Sequence, residues 1–205
     1  RRTRPTRRRW WGEPSGGYAA SEFSPPAKTS VAIPAKMIVA AQRLEAWLQA
    51  NEATTLADLN PPATATEVLE MERRLGCALP SGYRECLEVH AGQLGKAKWL
   101  FDGNEFLSVQ SVMLSWVAWN DLMEDGDLEG SAPRPDKGVQ AVWWSRGWIP
   151  FASNGGGDFL CLDMAPAAGG RVGQVIEIFH DFPDRKLVAP DFNSWFSNFV
   201  GGKLG

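Results

Sequence analysis

Hydrophobic positions in this 205-residue chain change period along its length, helical in the first half and strand-like in the second. Met37, Ala40, Ala41, Leu44, Trp47 and Leu48 recur at three- and four-residue steps and predict a helix over Met37–Ala50. Thr54–Pro62 reads as a connector. Thr64 with Glu67 three residues on forms a capping box, Val68, Met71, Glu72 and Leu75 trace the helix that follows, and Gly76 suits its left-handed stop. Leu79-Pro80-Ser81 opens a short helix with Tyr83, Cys86, Leu87 and His90 inside and Gly92 beyond its end. A strand is expected around Glu105–Leu107. Ser108 then caps a helix whose period runs through Val109, Val112, Met113, Trp116, Val117 and Asn120. After a polar loop, Asp125 to Pro135, the apolar segments shorten to Trp148–Ser153, Asp158–Met164, Gln174–Phe179 and Lys186–Ala189, with Val139–Trp144 as a further candidate strand. Asp191 caps a last helix in which Phe192, Trp195, Phe196, Phe199 and Val200 share one face, and Gly201-Gly202 is its expected end.

Helices, then a strand meander, then a closing helix give an α+β domain with a mostly antiparallel sheet, because the late connections are too short for parallel crossovers. Residues 36–205 form that single domain. Residues 1–35 mix Arg, Pro, Gly, Ser and Ala without period and read as a disordered or extended tail. A chain beginning at Arg1 rather than Met reads as a fragment or a processed product.

Composition narrows the class. Hydrophobic residues make up 44%, with ten Trp, ten Phe and only two Tyr, so the aromatics look like core material. No apolar run approaches the roughly 18 residues of a membrane helix, and no hydrophobic stretch follows the basic N-terminus as in a signal peptide. Cys77, Cys86 and Cys161 are odd in number and unpaired in spacing, which suits a reducing, cytoplasmic setting. The net charge of −3 hides six arginines within Arg1–Arg9; the remaining 15 basic and 24 acidic residues stand at −9. An acidic body repels nucleic acid and favours basic partners. The arginine run could contact RNA or acidic lipid, mark an address, or simply be solvated, but no aromatics interleave it for base stacking.

The chemical motifs thin out on inspection. Asn154-Gly155-Gly156-Gly157-Asp158 invites a phosphate-loop reading, but it leads into a strand and not a helix N-terminus, so it is expected to be a hairpin turn. Asp121, Glu124, Asp125, Asp127 and Glu129 surround Gly126, yet a calcium loop would place Met123 and Ala132 where oxygen ligands belong. They read instead as a solvated acidic loop or a partner-facing patch. Cys86 and His90, four apart, could share a helix face as nucleophile and base, without a third group to orient them; a structural His90 is the simpler reading. His180 to Asp184 reads as a turn, and two distant histidines give no metal signature. Of Trp143-Trp144, strand alternation would send one ring inward and one outward as a contact for a partner; partial burial of both is the plainer expectation.

Leu75-Gly76-Cys77-Ala78-Leu79-Pro80-Ser81-Gly82-Tyr83, His90-Ala91-Gly92, Trp148-Ile149-Pro150-Phe151-Ala152, the run through Gly156, Gly157 and Asp158, and Cys161-Leu162-Asp163 resemble in order and spacing the signature of the SUKH superfamily, named in part for the yeast Smi/Knr cell-wall-synthesis regulator. The resemblance covers roughly residues 60–200; the arginine-rich tail and the 37–50 helix lie outside it. It implies a single α+β domain, a mostly antiparallel curved sheet flanked by helices, used for non-catalytic protein binding without a cofactor or a metal. It further implies an immunity protein that neutralises a cognate toxin, many of them nucleases, or alternatively a regulatory or scaffold domain of the cell-wall-regulator type. Asp121, Glu124, Asp125, Asp127, Glu129, Trp143 and Trp144 are the expected partner-facing residues. Leu79, Pro80, Tyr83, Gly92, Trp148, Pro150, Gly156, Gly157, Asp158 and Asp163 carry the family pattern, the last two expected as structural aspartates that also border the binding face.

Overall fold

A computed structural model describes residues 35–128 and 132–205; the expected N-terminal tail lies outside the described residues, as does Glu129. The elements run α1 (Ala35–Asn51), α2 (Ala53–Ala57), α3 (Ala65–Leu75), α4 (Ser81–Leu87), β1 (Glu105–Phe106), α5 (Val109–Glu124), β2 (Arg134–Pro135), β3 (Trp148–Ser153), β4 (Phe159–Asp163), β5 (Gln174–Ile178), β6 (Asp184–Ala189) and α6 (Phe192–Leu204). The six strands form one sheet in the order β1-β3-β4-β5-β6-β2, antiparallel throughout except for β2, which runs parallel to β6.

Local sequence explains most boundaries. The Thr64–Glu67 capping box closes in both directions and Gly76 ends α3 at φ 73°. Ser108 Oγ accepts from the Ser111 N–H, and Asp191 Oδ1 accepts from the Ser194 N–H, as helix N-caps do. Gly92 sits at φ 90°, and a Cβ there would lie 2.5 Å from Ser108 Cα, so the chain leaving α4 passes against the backbone that starts α5. The glycine run after β3 is a hairpin turn, with Asn154 Oδ1 accepting from the N–H groups of Gly156 (2.8 Å) and Asp158 (3.1 Å).

Four expectations need correction. The Thr54–Pro62 connector contains α2, with the Thr55 side chain buried and its hydroxyl donating to the Lys98 carbonyl. The expected polar loop ends in β2, where Arg134 N–H donates to Pro183 O at 2.7 Å and the Asp136 carboxylate accepts from the Leu187 N–H, blunting the β6 edge. Val139–Trp144 forms no strand, because Trp144 turns into the core and the Trp143 carbonyl is drawn to Arg185. Finally, α6 continues through Gly201-Gly202 to Leu204: Lys203 pairs with Asp102 and its Nζ lies 5.6 Å from the Trp47 ring and 5.4 Å from the Phe199 ring, so tertiary contact overrides weak local propensity.

Both faces of β3 and β4 are buried. A register shift between Pro150 and Ala152 sets Phe151 toward α6, where its ring meets Trp195 at 4.8 Å and Phe192 at 5.4 Å, both edge-on. Tyr83 of α4 and Phe101 complete that aromatic layer. α1 packs its Met37, Ala41, Leu44 and Leu48 stripe into the same core, chiefly against α6. On the opposite face Trp148 meets Trp144, which stacks on Trp119 of α5 at 5.2 Å.

Candidate protein-binding surface

α5 divides its residues between two environments. Val112, Met113 and Asn120 are buried, and Asn120 Oδ1 accepts from the Trp144 indole N–H at 2.8 Å. The outward face carries Leu114 (62% exposed), Ala118, Asp121, Leu122 (38% exposed) and Asp125, spaced four, seven, eight and eleven residues from Leu114 and so on one side of the helix. Asp121, Glu124, Asp125 and Asp127 are all exposed at or just past the helix C-terminus, and the last turn holds no basic residue. Carboxylates there add to the negative end of the helix dipole and do not offset it. Glu124 is answered by Arg146, whose main-chain oxygen also accepts from the Trp116 indole N–H at 2.9 Å. Asp121, Asp125 and Asp127 make no ion pair among the described residues.

The two tryptophans expected beside this patch differ. Trp144 is 2% exposed and belongs to the core. Trp143 is half-buried, and the Arg185 guanidinium lies 4.4 Å from its ring centre. Arg185 is fully buried and makes no ion pair with a carboxylate among the described residues. Its Nε and Nη2 donate to the Trp143 carbonyl, and Nη1 donates to the carbonyls of Phe182 and Asp184. Burial lowers its pKa to about 10. This guanidinium ties the 139–147 loop, and so Arg146 beside the acidic patch, to β6.

The residues carrying the family pattern occupy core and turn positions and do not gather at one site. Leu79 N–H donates to the buried Glu72 carboxylate at 2.8 Å, which Arg84 also meets. Gly173, before β5, faces Pro80; Tyr83, Trp148 and Pro150 are buried. Asp163 is buried with no cationic partner among the described residues, accepting from Gln174 Nε2 at 2.8 Å and from the Ala165 N–H; burial raises its pKa despite these bonds. Asp158, at the other end of β4, accepts from both the ring Nδ1 and the main-chain N–H of His180, each at 2.9 Å, and from Asn154 Nδ2 at 2.7 Å. A Cβ at Gly157 would come 2.9 Å from the His180 ring.

His180 was expected only as part of a turn. The strand meander holds the missed signal: Phe159 faces Ile178 across β4–β5, so Asp158 and His180 flank one registered pair. Together with Asp181 these side chains offer ligand atoms within 4.8 Å of one another, but both Asp158 oxygens are already engaged within the protein. The Cys86–His90 pair does not assemble as nucleophile and base. Burial pushes the Cys86 thiol up to about 12, and the His90 ring nitrogens meet Glu45 (2.7 Å) and the Asn60 carbonyl (3.0 Å).

The profile of the SMI1 / KNR4 family (SUKH-1) matches residues 62–198. The chain is similar to the cell wall biosynthesis/cell cycle regulator smi1 of Schizosaccharomyces pombe, 28% identical over 188 residues, covering 85% of this chain and 36% of that protein. It is similar also to a glucan synthesis regulatory protein of Neurospora crassa (22% identical, 75% of this chain and 35% of that one) and to the cell wall assembly regulator SMI1 of Saccharomyces cerevisiae (19%, with 80% and 39% covered). An 85% share cannot be reached without α1, so the fission-yeast likeness runs past the family profile into the added helix. The chain spans about a third of the length of these curated relatives. A match over most of the folded residues places the chain in the SMI1 / KNR4 family (SUKH-1).

Proposed function

We propose that this domain is a non-catalytic, protein-binding regulator of fungal-type cell-wall synthesis. The observation that carries the reading is its family membership, together with fungal relatives named as regulators of wall and glucan synthesis. The acidic surface at the end of α5 supports a charged protein contact, with Asp121, Glu124, Asp125 and Asp127 as its residues and Trp143 at its border. No helix among the described residues is long and apolar enough to cross a membrane, and the three cysteines are free, which suits a cytoplasmic domain. The toxin-neutralising reading rests on the superfamily resemblance and the acidic body, whereas the relatives' names favour regulation.

A chimera tests this. The matching segment of the fission-yeast relative is replaced by this chain, and growth is scored on a wall-perturbing dye. Growth restored to the level of the intact relative is the expected outcome; a stably expressed chimera that behaves as the deletion rejects the role.

A further inference from the structure

We propose that the outward face of α5 is a docking seam for a basic amphipathic helix of a partner protein, an inference that rests on the protein-binding reading above. Leu114, Ala118 and Leu122 lie at i, i+4 and i+8 and all face water, where a surface helix ordinarily places polar residues. Asp121 and Asp125 fall on the same face, so apolar and acidic positions share one strip, with Leu122 between the two aspartates at its C-terminal end. From Leu114 to Asp125 the strip is about 16 Å long, or three helical turns, which matches a short helix laid along it.

Charge selects the occupant. Three of the four carboxylates make no ion pair among the described residues, and they crowd the negative end of the helix. Lysine or arginine on a partner would neutralise both the carboxylates and the dipole, while that partner's leucine-like side chains cover Leu114, Ala118 and Leu122. Anionic lipid and nucleic acid are repelled by the same charges.

The probe is a labelled peptide of about 20 residues, helical, with leucines at i, i+4 and i+8 in a lysine-rich background. It is titrated by fluorescence polarisation into the full chain. Leu114→Ser/Leu122→Ser and Asp121→Asn/Asp125→Asn change exposed positions, and circular dichroism checks that each variant stays folded. Each pair is expected to weaken binding by about tenfold or more, and the aspartate pair alone to flatten the dependence on salt. Equal binding of a control peptide with serine for leucine would overturn the seam, as would affinity insensitive to both variant pairs. So would a dimer of this chain that Leu114→Ser dissolves. The cellular role fails separately: a working chimera combined with variant-insensitive peptide binding sinks the seam and leaves the family role standing.

Discussion

The two faces of the sheet are held by different physics. Toward α6 the contact is aromatic: Phe151, Phe192, Trp195, Phe101 and Tyr83 meet edge-on or tilted. Toward α5 and the 139–147 loop the same strands bury polar groups, Arg185, Asp163 and Gln174, with Asn120 above them. Dispersion and hydrophobic burial are non-directional, so the first face tolerates changes of shape that keep its volume. Hydrogen bonds to main-chain carbonyls are directional, and losing the donor leaves buried acceptors orphaned. The first face makes the domain stable; the second fixes where an irregular loop, and the surface beside it, must lie.

Removing the centre of the aromatic layer should have the largest effect. Phe151→Ala is expected to cost about 3–5 kcal/mol in urea unfolding, by lost transfer energy and a residual cavity. Phe151→Leu, which keeps most of the apolar volume, should recover more than half of that loss. Next comes Arg185→Lys. It keeps the charge but not the planar fork that reaches the carbonyls of Trp143, Phe182 and Asp184, and should cost about 2–3 kcal/mol. Its signature is local as well, with loosened amide-exchange protection over the 139–147 loop. If the lysine variant is as stable as the parent, the guanidinium fork is not what holds that face, and the contrast collapses.

The aromatic face was legible in the sequence because burial and period coincide there. Phe192, Trp195, Phe196 and Phe199 announce a helix and its inner side together. Arg185 was not legible. In Asp184-Arg185-Lys186 it reads as one more charged residue between a turn and a strand, and nothing in a residue pattern shows where the carbonyls of a distant loop point. Trp144 misled for a related reason: alternation applies only inside a strand, and the loop's path is set by its bonds to β6 and α5. For the candidate surface, the acidic run was visible in sequence, whereas its place on one exposed face with Leu114, Ala118 and Leu122 needed the burial of α5.

The same division predicts a small gain of stability. Asp121→Asn/Asp125→Asn removes charge that opposes the α5 dipole and should stabilise the free domain by about 0.3–1 kcal/mol per residue while weakening the peptide probe. Stabilisation together with weakened binding marks these aspartates as kept for contact. A loss of stability would mean that they serve the fold, and the exposed side of α5 would then join the structural regions.

The smallest effect separates two aspartates at opposite ends of β4. Partial burial pushes the Asp158 carboxyl up, but hydrogen bonds from the His180 ring and backbone and from Asn154 outweigh it and hold the pKa below its ordinary 3.8. The bond to Asp158 raises His180 above 6.5. A raised histidine contributes stability that is complete below its unfolded pKa and is lost as pH rises through the folded one. A depressed aspartate contributes above its unfolded pKa and loses that contribution as pH falls through the folded one. The latch between the two turns is therefore strongest between about pH 4 and 6.5 and weakens as pH rises through the raised folded pKa of His180. Asp163 acts in the opposite sense: burial raises its pKa, so its ionisation costs stability as pH rises, and protonation in acid relieves that cost. Urea midpoints of the parent and His180→Gln should differ most near pH 6 and converge as pH is raised from there through the elevated folded pKa of His180. A constant difference across that range would show that the imidazole packs against Gly157 without its protonation mattering. The imidazole resonances of His180 should also titrate above the ordinary range in the parent and return toward it in Asp158→Asn, which removes the carboxylate and leaves the turn's backbone in place.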